Sequence, residues 1–148
     1  MLASTRDHVR SREQFGAPLI RIPAVAAALA TFRKQLLLAE TAVARTLDTV
    51  RGRDASPDLE AAAVARVIAG ASATEAARIA HQLHGALGIT REAGLHRLTT
   101  RLWAWQDAIT SQRMCARHLG EMALACGEEE VWSRLTGNAV PPTRSLTH

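Results

Sequence analysis

Residues 77–90 read ARIAHQLHGALGIT. Alanines and an isoleucine run into two histidines, a glutamine and a spaced pair of glycines. The alanine-rich half favours helix, and Gly85 is free to take the left-handed conformation that ends one. Three readings of that ending compete: a metal site on the i, i+3 pair His81 and His84, a plain helix cap, or a surface for something flat and phosphorylated. The flanking residues speak first to the fold.

Upstream, residues 57–84 read as one helix, with Ser56 as N-cap, Pro57 at the first position and Glu60 near the capping-box site. Its face is built from Ala63, Val67, Gly70, Ala73 or Thr74, Ala77 and Ala80, small residues that let a neighbouring backbone approach closely. Gly70 costs about 1 kcal/mol against alanine in a helix interior, so tight packing is expected to offset it. Downstream, Leu95, Leu98, Leu102, Trp105, Ile109, Gln112, Ala116, Leu119, Ala123 and Cys126 form one stripe, which predicts a single helix from Glu92 to Cys126. Gln112 needs a partner within that stripe if buried. A short helix is expected over residues 128–135.

Earlier in the chain, Val25, Leu29, Phe32, Leu36, Ala39, Val43, Leu47 and Val50 recur at steps of three and four, predicting a helix from Leu19 to Arg51. Pro23 is tolerated because it falls in the first turn. Met1 to Ser11 reads as the last turns of a helix whose front part is expected to be missing, broken by Gly16 and Pro18 in REQFGAP (residues 12–18). The expected fold class is all-α, an antiparallel up-and-down helical bundle over residues 1–135, with a disordered tail over residues 136–148.

Composition agrees. Apolar residues make up 47% and charged residues 22% of 148, enough for one domain with one core. Tyr is absent and strand formers are sparse. The net charge is +4, almost all of it arginine scattered among acids, without the stripe that nucleic acid requires. Cys115 and Cys126 lie about three turns apart on one expected helix, too far to bridge. A reduced, cytoplasmic setting is expected, and no apolar run reaches membrane-spanning length.

The chemistry is sparse. A di-metal bundle site wants Glu-x-x-His motifs, and none occurs here; zinc lacks further ligands, so helix-face histidines are the plainer reading. Gly85-Ala-Leu-Gly88 follows a helix and no strand, unlike a phosphate-binding strand–loop–helix. No nucleophile–base pair stands out. Asp54, Asp58 and Glu128 to Glu130 lie at termini, where acids serve caps and solvation.

Two segments together carry more. Arg12-Glu-Gln14-Phe15-Gly16-Ala-Pro-Leu19 before a long helix, then Gln82-Leu-His84-Gly85-Ala86-Leu-Gly88-Ile-Thr90-Arg-Glu92 and Leu95-His-Arg97-Leu-Thr-Thr-Arg101, resemble the C-terminal helical domain of the acyl-CoA dehydrogenase family. The resemblance covers roughly residues 1 to 126. It implies an FAD site in which the first loop reaches across a subunit interface towards the pyrophosphate and adenine. Arg12 matches the arginine on the pyrophosphate, with Gln14, Phe15 and Leu19 lining the cofactor. Gln82 and the backbone of Gly85 and Ala86 match the second motif, on the adenosine half. A guanidinium suits that place because it forks onto phosphate oxygens.

The family oxidises the Cα–Cβ bond of acyl-CoA thioesters in fatty acid metabolism. A carboxylate removes the α proton while the β hydride passes to flavin. Counted from Gln82, one family position for that base falls near Ile109, in WAWQDAITSQ, where Asp107 is the nearest acid. The other family position would precede Met1. No catalytic residue is therefore assigned. Ala86 replaces a family glycine, a backbone contact that survives the change, and Pro23 stands where glutamine is common. The family's flavin-ring domain and its N-terminal helical domain have no counterpart in this sequence.

The resemblance thus implies the adenosine side of an FAD site. It would be completed within a homo-oligomer or by a fuller acyl-CoA dehydrogenase subunit, and be inactive as this chain alone. The alternative is a helical oligomerisation module without cofactor.

Overall fold

The computed structural model describes residues 1–50, 58–90, 94–107 and 110–136. Helix α1 spans Leu2–Ser11, then a two-stranded hairpin pairs β1 (Glu13–Gln14) with β2 (Ala17–Pro18). A 3₁₀ turn over Leu19–Arg21 leads into α2 (Pro23–Thr49). Helix α3 (Leu59–His84) runs into a second 3₁₀ turn, Gly85–Ile89. Helices α4 (Leu95–Asp107), α5 (Gln112–Cys126) and α6 (Glu128–Thr136) follow. The chain is an all-α bundle, as its composition implies.

Helix α3 is the hub: α1, α2, α4 and α5 all pack against it. Its partnership with α2 is the most extensive, and the pairing runs antiparallel. Thr46 Oγ1 donates to Ala61 O at 3.1 Å near one end, and Ser72 Oγ donates to Gln35 Oε1 at 3.1 Å further along. The central core joins Phe32 of α2, Ile79 and Ala80 of α3, and Leu95 of α4, with Ala28, Ala76 and Leu83 around them. From α1, Val9 and Thr5 are fully buried. The Thr5 hydroxyl is satisfied within its own helix, on Met1 O at 3.1 Å, so the burial of this polar group is compensated.

Several boundaries differ from expectation, each for a local reason. The segment at residues 12–18 is a closed hairpin, not merely a break. Helix α2 begins at Pro23, not Leu19, because the residue before a proline is driven out of the helical region; Ile22 sits at φ −76°, ψ 120°. Asp58, not Ser56, caps α3. Its carboxylate accepts from the amides of Glu60 and Ala61 at 2.9 and 3.0 Å, the charge favoured at a helix N-terminus. Ser56 and Pro57 lie outside the described residues.

The single helix expected from Glu92 to Cys126 is two. Ser111 caps α5, its hydroxyl accepting from Met114 N at 3.2 Å. Arg66 of α3 donates to the carbonyls of Gln106 and Thr110 on the α4 side of the corner. A competent N-cap and an arginine for the released carbonyls prevail over a continuous stripe. Glu92 and Ile109 lie outside the described residues, as does the tail from residue 137. Where the α2 stripe reaches Val43, Leu47 and Val50, it stays exposed.

Gly70 does admit a close neighbour, but a side chain rather than a backbone. A Cβ there would strike the Gln112 amide, its Cδ at 2.9 Å. The polar residue flagged in the stripe therefore lies over the glycine of α3. No helix among the described residues is long and apolar enough to cross a membrane.

Candidate functional site

Arg12 stands where α1 ends. Its amide donates to His8 O at 2.9 Å, closing the helix, and its carbonyl accepts from Leu19 N at 2.8 Å, closing the hairpin. The intervening turn is Phe15-Gly16, with φ +56° and +77°, the two positive values of a type I′ connection. Both ends of the Arg12 peptide are thereby pinned, and the guanidinium is presented from a fixed base.

The other wall is the end of α3. Gly85 takes φ +57°, ψ −141°, a region essentially closed to residues with a Cβ. It differs from the left-handed cap expected there, although the positive φ that demands glycine is present. Its amide donates to His81 O, and the chain turns directly into the 3₁₀ segment.

Between these walls lies a cavity of about 530 Å³, within the range of small-molecule sites. Arg12, Gln14 and Leu19 line it from the hairpin side, and Gln82, Gly85 and Ala86 from α3. Two segments far apart in sequence thus meet on one concave surface. Ile22, Val25, Ala28 and Leu83 add apolar surface. Phe15 is not brought into this group: at the hairpin tip it is 93% exposed.

Two lining residues were missed in the sequence. His8 and His84 stack, their ring centroids 4.5 Å apart and their planes 14° from parallel. His84 is buried, and its Nδ1 lies 2.8 Å from Ala80 O. A carbonyl only accepts, so Nδ1 is the donor of that hydrogen bond. Burial, then the neighbouring His84 and Arg12, hold His8 below the ordinary imidazole value. No pattern in the sequence marks His8, which lies in the last turn of α1 before Arg12. His84 was visible but read as a helix-face residue.

The i, i+3 histidines go separate ways. The Thr99 hydroxyl donates to Leu95 O at 3.1 Å, so His81 Nε2, 2.8 Å from that oxygen, is the donor to it. Among the described residues no group of three metal-ligating side chains gathers. Among the described residues no carboxylate lines the cavity. Ile109 lies outside the described residues, so the position counted for a catalytic base does too. A second groove, about 340 Å³ between α2 and α3, is walled by Leu37, Leu38, Ala42, Val64 and Ile68, with Lys34, Thr41, Arg45 and Glu60 among its lining.

Comparison with known proteins follows the same line. Residues 1–106 match the family model of the acyl-CoA dehydrogenase C-terminal domain. Among solved structures, the chain is similar to one titled "FAD complex of PigA", at a TM-score of 0.69 and 18% identity. That match covers 92% of this chain and 32% of the other, so the chain spans about a third of that protein's length. At such identity the likeness speaks for the fold. No curated protein matches the sequence.

Proposed function

We infer from one premise, that the chain belongs to the acyl-CoA dehydrogenase family through its C-terminal domain, that its cavity holds the adenosine–pyrophosphate half of FAD. Arg12 binds the pyrophosphate. Gln14, Leu19, Gln82 and the backbone of Gly85 and Ala86 line the adenosine. Phe15 stands outside the cavity and serves the cofactor from the hairpin tip, at a subunit boundary. The residues fit such a group: one anchored guanidinium, apolar surface beside it, a glycine backbone at the rim, and, among the described residues, no carboxylate to repel phosphate.

When bound, the flavin would supply the two-electron acceptor for α,β-dehydrogenation of an acyl-CoA thioester. This chain's own work is to bind and orient the far end of the cofactor. A second copy of this chain would complete the subunit boundary, while the domain for the flavin ring, and the base, come from a fuller dehydrogenase subunit. As a chain alone it is inactive.

The observation that carries this reading is the convergence of Arg12, Gln14, Leu19, Gln82, Gly85 and Ala86 on one cavity. To test it, the chain is purified alone and with a dehydrogenase subunit carrying the missing domains, and the flavin absorbance of each is recorded. Flavin retained in an assembly and lost on Arg12→Ala is the expected result. Loss of more than about tenfold in affinity is in keeping with a charge-assisted contact of about 1.5–3 kcal/mol. Assembly without flavin would favour the cofactor-free oligomerisation module, for which the exposed Leu124 and Trp132 speak.

A further inference from the structure

The stacked rings of His8 and His84 form part of the cavity wall, beside Arg12. Three basic side chains therefore meet there. The groups facing the pair can be named by element. Helix α1 and its end contribute Arg12. Helix α3 contributes His84 itself, along with the neutral Gln82 and Leu83. The hairpin, the 3₁₀ turn and α2 contribute Gln14, Leu19, Ile22, Val25 and Ala28, none of which titrates. Among the described residues nothing anionic lines the cavity to balance a second positive charge. Two imidazolium rings at 4.5 Å would repel each other and the guanidinium together.

The ligand class supplies the missing charge. A pyrophosphate diester carries two negative charges, and Arg12 offsets one. The second calls for one imidazolium and not two. His84 is 7% exposed and fixed through Nδ1 to Ala80 O, whereas His8 is only half-buried. His8 is thus the ring of the pair that solvent and an anion in the cavity both reach, so the proton is placed there. We propose that the cavity takes its pyrophosphate diester together with one proton from solvent, held on His8 where it stacks on His84. This rests on the FAD reading above and deepens it. The lowered proton affinity of the free His8 favours the neutral ring before the anion arrives, so proton uptake accompanies binding.

FAD is a suitable probe because its pyrophosphate diester does not titrate near neutrality. The full chain, labelled with ¹³C-histidine and in whichever assembly retains flavin, is followed by NMR through the Cε1–H signals of His8 and His84 over about pH 5–8. With FAD the His8 midpoint should rise by about one unit or more. The FAD Kd should increase by up to about tenfold per pH unit as pH rises through that interval. His8→Phe keeps a flat ring on His84; it should bind FAD more weakly and without that pH dependence. FAD bound with an unmoved His8 midpoint and a flat Kd would overturn the proposal and leave the cofactor reading intact. A Kd equally steep in His8→Phe would also overturn it. If no assembly retains flavin, the cofactor reading and this inference fall together. Should His8→Phe fail to fold, the wild-type titration decides alone.

Discussion

Phe15 occupies a backbone conformation that bulky side chains avoid. At φ +56° its Cβ crowds the following carbonyl, a cost of about 1–2 kcal/mol for an L-residue. The ring recovers none of this by burial, being 93% exposed. Phe15→Asn keeps the turn, since asparagine accepts positive φ. It should raise the stability of the isolated chain by about 0.5–1 kcal/mol in urea denaturation. The same variant should lower flavin retention in the assembly. A variant no more stable than wild type would show that the turn is unstrained; unchanged retention would show that the ring is idle. Arg12 teaches a different lesson. Its residue type was legible in the sequence as a phosphate ligand, and the hydrogen bonds that fix its peptide were not. They depend on Leu19 and His8 arriving from both sides, a matter of chain path rather than composition.

At the scale of elements, the corner between α4 and α5 depends on one side chain from a third helix. Arg66 reaches the carbonyls of Gln106 and Thr110, and Gln106 Nε2 returns to Gly70 O at 2.7 Å. Arg66→Met keeps most of the stem and removes the donors. It should cost about 1–2 kcal/mol, because carbonyls freed by the end of a helix lose their partner. Hydrogen exchange should quicken first at amides around the corner; uniform protection would count against the account. This is also where sequence reading failed. The periodic stripe ran through the break because Trp105 and Gln112 keep helical spacing across it. Only the cap at Ser111 signals the end, and caps are short-range features that a long pattern masks. The same stripe hid Thr99, which is buried though polar, because its hydroxyl is satisfied by Leu95 O and His81. The small face of α3 was readable as tight packing, but that Gln112 would fill it was not, since its partner is a tertiary choice.

For the molecule as a whole, the surface is unusually apolar for a free domain. Leu59, Ile89 and Leu124 are 76%, 78% and 89% exposed, and the lower half of the α2 stripe finds no cover among the described residues. Such surfaces mark places where another chain or domain packs. The chain alone should sediment above its 15.9 kDa mass and shift towards monomer on dilution. A concentration-independent monomer would remove the case for a subunit boundary. The all-α class, the long helices α2 and α3 and the two segments that meet at one cavity were readable from periodicity and from two motifs, whereas the helix count was not, since α4 and α5 read as one. The stacked histidines were not, because a half-buried ring on a short helix leaves no pattern.

The exposed tryptophans of α4 and α6 have an optical corollary. With no tyrosine in the chain, ultraviolet emission comes from Trp103, Trp105 and Trp132, none of which lines the cavity. A globular chain of this length has a radius of gyration of about 15 Å, so the indoles lie within energy-transfer range of the flavin ring of a cofactor whose adenosine half sits between the hairpin and α3. Isoalloxazine absorbs where indole emits. The molecule therefore carries its own donors for watching a cofactor arrive, placed where binding dims them without touching them.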